Sequence, residues 1–223
     1  MCKPLPPFTG LNAIELSTEQ KIAAMAHIKI YSDYVCPYCY LGERILEKVI
    51  AQNPELNITV EWMPFELRPY PNPTLRPEDE YLPRVWQQSV YPMAGQLGVP
   101  IKLPTISPQP YTQLAFEGYQ YAREKGKGEA YTRRLFEAFF KENKDIGKVE
   151  VLTQLAAAVG LDREAYQQAL ESRKYREAHQ QALEQASRAG IRAVPTFEIG
   201  GQLYPGVLPA HQLQRIVRAS VTA

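Results

Sequence analysis

Ile28-Lys29-Ile30-Tyr31-Ser32, running on through Asp33-Tyr34-Val35 to Cys36-Pro37-Tyr38-Cys39, is the stretch on which the fold turns. Its first five residues alternate apolar and polar side chains, the two-residue period of a strand. From Cys36 to Ile50 the period changes, and Leu41, Ile45, Leu46 and Val49 fall on one face of a predicted helix. Asn53-Pro54 ends that helix, and Ile58-Thr59-Val60-Glu61-Trp62 reads as a second strand because it is rich in β-branched and aromatic residues. Strand, helix and strand within about 35 residues make a βαβ unit, whose strands run parallel through a right-handed crossover.

The cysteines sit where strand gives way to helix. Cys36 occupies or adjoins the helix N-cap, where unpaired backbone N–H groups and the helix dipole favour negative charge. A thiolate is stabilised there, and the thiolate is the nucleophile of disulfide exchange. Pro37 suits the first helical position, where its missing N–H costs nothing. Cys39 follows one turn later on the same face, near enough to close a small disulfide. Cys36 is therefore expected to be the accessible attacking thiol and Cys39 the buried resolving one. Two other readings of the pair stand beside this one. A Cys-x-x-Cys is half of a zinc site, but Cys2, His27, His179 and His211 supply no second close pair. Two inert buried cysteines are the plain structural alternative.

Further along, Met63 to about Pro110 is proline-rich and aperiodic, and is expected to be an irregular excursion. Helical patterns follow at Leu114–Glu124, Glu129–Lys141, Val149–Val159, Asp162–Glu171 and Tyr175–Ala189, the last stopped by Gly190. Thr196-Phe197-Glu198-Ile199, the turn signal Gly200-Gly201 and Gln202-Leu203-Tyr204 read as a hairpin, and Pro209–Ala219 as a closing helix. Pro195 leads into the hairpin. After a βαβ unit bearing Cys-x-x-Cys, this placement favours a cis bond over a simple strand-opening proline.

Four separated segments carry a family resemblance. The run Tyr31 to Gly42 resembles the active-site segment of DsbA-like oxidoreductases, specifically their FrnE-like branch. Met63-Pro64-Phe65-Glu66-Leu67 is similar to that branch's stretch after the second strand, and Asn143-Lys144-Asp145-Ile146-Gly147 through Asp162 to part of its helical insertion. Gly190-Ile191-Arg192-Ala193-Val194-Pro195-Thr196-Phe197 resembles its cis-proline loop. The resemblance covers about residues 27–219 and implies an α/β, thioredoxin-like fold (βαβ…ββα) interrupted by an all-helical insertion domain. On that pattern residues 1–26 are an N-terminal extension, 27–63 and 190–221 the thioredoxin-like domain, and 64–189 the insertion. It also implies that Pro195 is cis and faces the cysteines, that Val194 pairs with an extended substrate segment, and that no cofactor is bound. Glutathione stays open as a co-substrate, because relatives in the superfamily, the hydroxychromene-carboxylate isomerases and kappa-class transferases, borrow its thiol. Those usually carry Ser at the position of Cys36. Tyr38 departs from the His of periplasmic DsbA proteins, so their strong thiolate stabilisation is not carried over.

Among single residues, Asp33 is read as a turn cap, with active-site support as its functional alternative. Tyr34, Tyr38 and Tyr40 are candidates to line a substrate groove, Tyr38 first. Glu61 is expected to point outward from its strand, Phe136, Phe139 and Phe140 to be core, and His179 and His211 to lie on the surface.

The chain's 25 Lys and Arg balance 24 Asp and Glu, which gives no electrostatic footprint for nucleic acid or an anionic membrane. No apolar run approaches the roughly 20 residues of a membrane span, and Met1–Met25 lacks the form of a secretory signal. A cytoplasmic protein is expected, in which a close cysteine pair is catalytic or metal-binding rather than a scaffold staple. Residues 1–24 read either as a dispensable extension before a true start at Met25 or as a helix from Ser17 to Ala26. The expected partners are protein or small-thiol disulfides, and nothing in the sequence bears on oligomeric state. Rival functions are a glutathione-dependent isomerase or transferase, which could survive Cys36→Ser, and a redox-linked binding or chaperone module, which would keep its clients without either cysteine.

Overall fold

The structure is a computed structural model that describes residues 25–221. Residues 1–24, expected to be dispensable, lie outside the described residues, and Cys2 with them.

Strand β1 (Met25–Ser32) is central. It takes in Met25 and Ala26, which the sequence reading left in the extension. Ala26 is buried and pairs with Ile58, which is why the strand begins there. Helix α1 (Pro37–Gln52) crosses over to β2 (Asn57–Pro64), which pairs with β1 in parallel, Ile28 opposite Val60 and Ile30 opposite Trp62. On the other side of β1, β3 (Thr196–Ile199) runs antiparallel, Ile30 opposite Phe197, followed by the edge strand β4 (Gln202–Pro205). The sheet order is β2-β1-β3-β4. Gly200 and Gly201 make the two-residue turn with φ of 58° and 75°, a pair of left-handed conformations that glycine adopts without a Cβ clash.

Between β2 and β3 the chain is helical, with one departure from the sequence reading. The stretch taken as irregular holds α2 (Tyr81–Val85), a π-helical turn (Trp86–Val90) and α3 (Tyr91–Leu97), end to end. Proline misleads here because of position. Pro83 lies in the first turn of α2, where no intrahelical N–H is missed, and Pro92 falls just after the π-helical turn, where the regular i→i−4 ladder is already interrupted. The remaining helices agree with their sequence patterns to within a residue or two: α4 (Gln113–Glu124), α5 (Gly128–Phe140), α6 (Val149–Ala158), α7 (Arg163–Glu171), α8 (Arg176–Arg188) and α9 (Ala210–Ser220). Asp162 caps α7 through a 2.7 Å bond from Ala165 N–H.

The core joins the sheet to the helical block. Phe136, Phe139 and Phe140 of α5 are buried as expected, and the Phe136 ring meets Trp62 of β2 and Tyr40 of α1. Tyr34 packs on Phe116 of α4 with ring centroids 4.6 Å apart. Tyr34 and Tyr40 are thus core residues, not groove residues, because the insertion's aromatic side chains cover them. At the far end of α1, Asn53 accepts hydrogen bonds from Gln214 and Arg218, which ties α1 to α9.

Candidate active site

Cys36 is the N-cap of α1, with extended backbone (φ −85°, ψ 114°), and Pro37 follows at the first turn. The Cys36 carbonyl accepts the N–H groups of Cys39 and Tyr40 at 3.1 and 3.3 Å, while its own N–H donates to the Asp33 carbonyl at 3.1 Å. These bonds turn strand into helix and place both sulfurs at the helix's positive end. Both cysteines are free thiols. Burial, and after it the neighbouring Cys36, push the Cys39 thiol well above its ordinary range.

The loop before β3 comes to the same place. The Val194–Pro195 peptide is cis, and the Cys36 thiol donates to the Val194 carbonyl at 3.8 Å. Pro195 packs against α1 at Gly42, where an added Cβ would stand 3.4 Å from the proline ring. Gly206 N–H, donating to the Pro195 carbonyl at 2.8 Å, fixes the loop from the β4 side. Two segments 158 residues apart thus meet at the sulfur.

Cys36 was expected to be accessible and is not. It is 4% exposed, because the excursion after β2 and the α2–α3 segment close over it and leave a cavity of about 600 Å³. Val35, Pro37, Tyr38 and Val194 line this cavity beside Cys36, and Leu67, Leu75, Tyr81 and Trp86 form its opposite wall. Tyr38 keeps its expected groove position and donates to Ser89 Oγ at 2.7 Å, which links the active-site turn to the π-helical turn. Insertions of this kind often mark functional sites.

Asp33 is also corrected. Rather than only capping a local turn, it is 1% exposed and its Oδ2 accepts Leu67 N–H at 2.7 Å, pinning the cavity wall to the end of β1. Its Oδ1 is buried with no hydrogen-bond partner among the described residues. Burial raises its pKa to about 7, against the lowering effects of the Leu67 and Thr112 hydrogen bonds, and Glu66 adds a smaller raising contribution. His179, expected at the surface, is 1% exposed. It meets Glu66 at 2.6 Å and stacks on Phe116, so a polar-looking helix buries its histidine against the insertion. The signal available in the sequence was Glu66 beside Leu67 in the quoted segment, but its partner lies 113 residues away. Glu61 does face outward, near Arg123 and His27, and His211 is exposed. Among the described residues no group of three His, Cys, Asp or Glu could hold a metal ion, and no helix is long and apolar enough to cross a membrane.

Residues 27–218 match the DSBA-like thioredoxin domain. The chain belongs to that family. A Bacillus subtilis (strain 168) protein described as uncharacterized protein YwbO is 50% identical over 182 residues, 81% of this chain and 90% of that one. The crystal structure of the probable DsbA oxidoreductase SCO1869 from Streptomyces coelicolor superposes with a TM-score of 0.69 at 22% identity, over 87% of this chain and 89% of that one. The cytosolic disulfide reductase DsbM from Pseudomonas aeruginosa does so at 0.62 and 18% identity, over 88% and 95%. At these identities the superpositions speak for the DsbA-like fold, while the FrnE-like branch stands on the quoted segments alone.

Proposed function

We propose that the chain is a thiol–disulfide oxidoreductase in which Cys36 attacks and Cys39 resolves. The observation that carries this reading is the meeting of the N-cap sulfur of Cys36 with the Val194 carbonyl beside cis-Pro195. The Cys36 thiolate attacks one sulfur of a substrate disulfide, giving a Cys36–substrate mixed disulfide and releasing one thiolate. Cys39, after losing its proton, attacks Cys36 Sγ and releases the second substrate thiolate, leaving a Cys36–Cys39 disulfide. Two electrons pass from the dithiol to the substrate, and the cycle runs backwards with thiols as reductant. Val194 N–H makes no hydrogen bond to another described residue, which supports pairing with an extended substrate segment.

A cytoplasmic setting and glutathione as co-substrate belong to the same proposal; they draw on DsbM, described as cytosolic and also known in a structure with GSH. Two thiols at one helix end favour the dithiol reading over a glutathione-dependent isomerase. Equilibration with glutathione and its disulfide, read by alkylation and mass, tests the proposal. A single Cys36–Cys39 disulfide with a two-electron dependence is expected. Failure to form it, or insulin reduction surviving in Cys36→Ser, overturns the proposal.

A further inference from the structure

The cavity over Cys36 has an uneven chemical lining. Its hydrophobic side is formed by Val35, Leu75, Leu82 and Trp86, whereas Asn72, Gln109 and Thr112 supply amides and a hydroxyl. Gln109 and Thr112 are 7% and 3% exposed, and the Gln109 side chain makes no hydrogen bond to another described residue. One cationic side chain, Arg68, lines the cavity. The arginines of α4 and α5 are held in ion pairs, Arg123 with Glu61, Arg133 with Glu129 and Arg134 with Glu142. Arg68 has no ion pair or hydrogen bond with any described residue, although Glu66 lies only two positions before it, turned inward onto His179. A guanidinium without a partner among the described residues, lining the same cavity as a buried sulfur, is arranged to receive an anion.

We propose that the thiol or disulfide that exchanges with Cys36 in this cavity is a small molecule bearing a carboxylate, which Arg68 holds. This inference rests on the dithiol reading above and goes beyond it by assigning the substrate's charge and the residue that reads it. Asp33, the other ionisable side chain in the lining besides Cys36, Tyr38 and Tyr81, has its carboxyl pushed up to about 7 by burial, so its opposing charge is weakened at neutral pH. The side-chain amides of Asn72 and Gln109 match the amide groups of a peptidic thiol, and a volume of about 600 Å³ admits a molecule of a few residues. The reaction is the exchange already written, with the anionic thiol as reductant. Its thiolate attacks the Cys36–Cys39 disulfide at Cys36, Cys39 leaves, and a second thiol releases the first as a symmetric disulfide.

The test uses three reductants of similar size: 3-mercaptopropionate, 2-mercaptoethanol and cysteamine, carrying negative, no and positive charge. Second-order rate constants for reducing the oxidised protein are corrected for each thiol's thiolate fraction. The anion-to-neutral ratio is expected to exceed one, to shrink with added salt, and to fall about three- to fivefold in Arg68→Ala, the worth of one partly exposed charge pair. Arg68→Lys is expected to restore part of the ratio and Arg68→Glu to favour cysteamine. A ratio near one in the wild type, or a ratio that Arg68→Ala and Arg68→Glu leave in place, overturns the proposal, and points to an uncharged thiol or a protein as the exchanging partner. If instead no thiol reduces the protein at Cys36, the dithiol reading itself fails.

Discussion

Replacing Asp33 with asparagine should flatten part of the protein's stability profile between pH 4 and pH 8. Asp33 is fully buried, and its pKa is raised from 3.8 to about 7, first by burial. The folded state therefore binds a proton across that window that the unfolded chain has lost, so stability falls as pH rises through it. About three units at 1.36 kcal/mol each put the loss near 4 kcal/mol, complete above pH 7. Below pH 4 both states hold the proton and the cost vanishes. The asparagine side chain keeps an oxygen for the 2.7 Å bond from Leu67 N–H, and its NH2 takes the place of the unpartnered Oδ1. That unpaired amide costs about 1–3 kcal/mol, independent of pH. Denaturant unfolding at half-unit steps from pH 4 to 8, wild type against Asp33→Asn, isolates the difference even though Glu43, also raised to about 7, titrates in the same range. The expected result is a difference that swings by about 4 kcal/mol towards the variant as pH rises. Parallel profiles would refute the reasoning and put Asp33 in an environment that tolerates its charge.

Other substitutions test the site and its supports. In Cys36→Ser the Cys39 thiol, pushed well up by burial, should need strongly alkaline pH for alkylation, and rapid modification at pH 7 mapped to Cys39 rather than Cys2 would contradict the assignment of roles. Cys39→Ser should trap mixed disulfides at Cys36, visible as covalent adducts by mass, because the resolving thiol is gone. Tyr38→Phe removes the 2.7 Å bond to Ser89 and should cost about 0.5–1.5 kcal/mol in unfolding free energy. His179→Ala breaks the buried contact with Glu66 and the stack on Phe116, with an expected loss of about 3–5 kcal/mol; a loss below 1 would show that the pair is dispensable. Gly118→Ala would drive a Cβ into the Tyr166 and Tyr131 hydroxyls, which bond each other at 2.6 Å, and should destabilise by about 1–3 kcal/mol.

Local chemistry made much of this molecule legible in its sequence. The alternation of Ile28–Ser32, the one-sided face of Leu41, Ile45, Leu46 and Val49, and the Gly200-Gly201 turn are short-range patterns, and the structure forms the corresponding elements. Cys36 at a helix start followed by Pro37 is equally local, since N-cap geometry depends on the next few residues. The helical run Tyr81–Leu97 is masked by its proline-rich composition, although the information for it is also local. What the sequence did not determine is which groups lose water. Asp33, His179, Tyr34 and Cys36 are a polar, a titratable, an aromatic and a reactive residue with nothing nearby in the chain to bury them. Asp33, Tyr34 and Cys36 are buried because the helical insertion folds back on the sheet, and His179 because separate segments of the insertion pack on one another: Asp33 by the excursion at Leu67, Tyr34 by Phe116 and Phe136, Cys36 by the walls of the cavity, His179 by Glu66 and Phe116. Desolvation sets the charge states on which the site's chemistry depends, and it is the sum of contacts from segments far apart in the chain. Residue identity and spacing point to Cys36 as the candidate nucleophile; only the packing of the helical block against the sheet decides its environment.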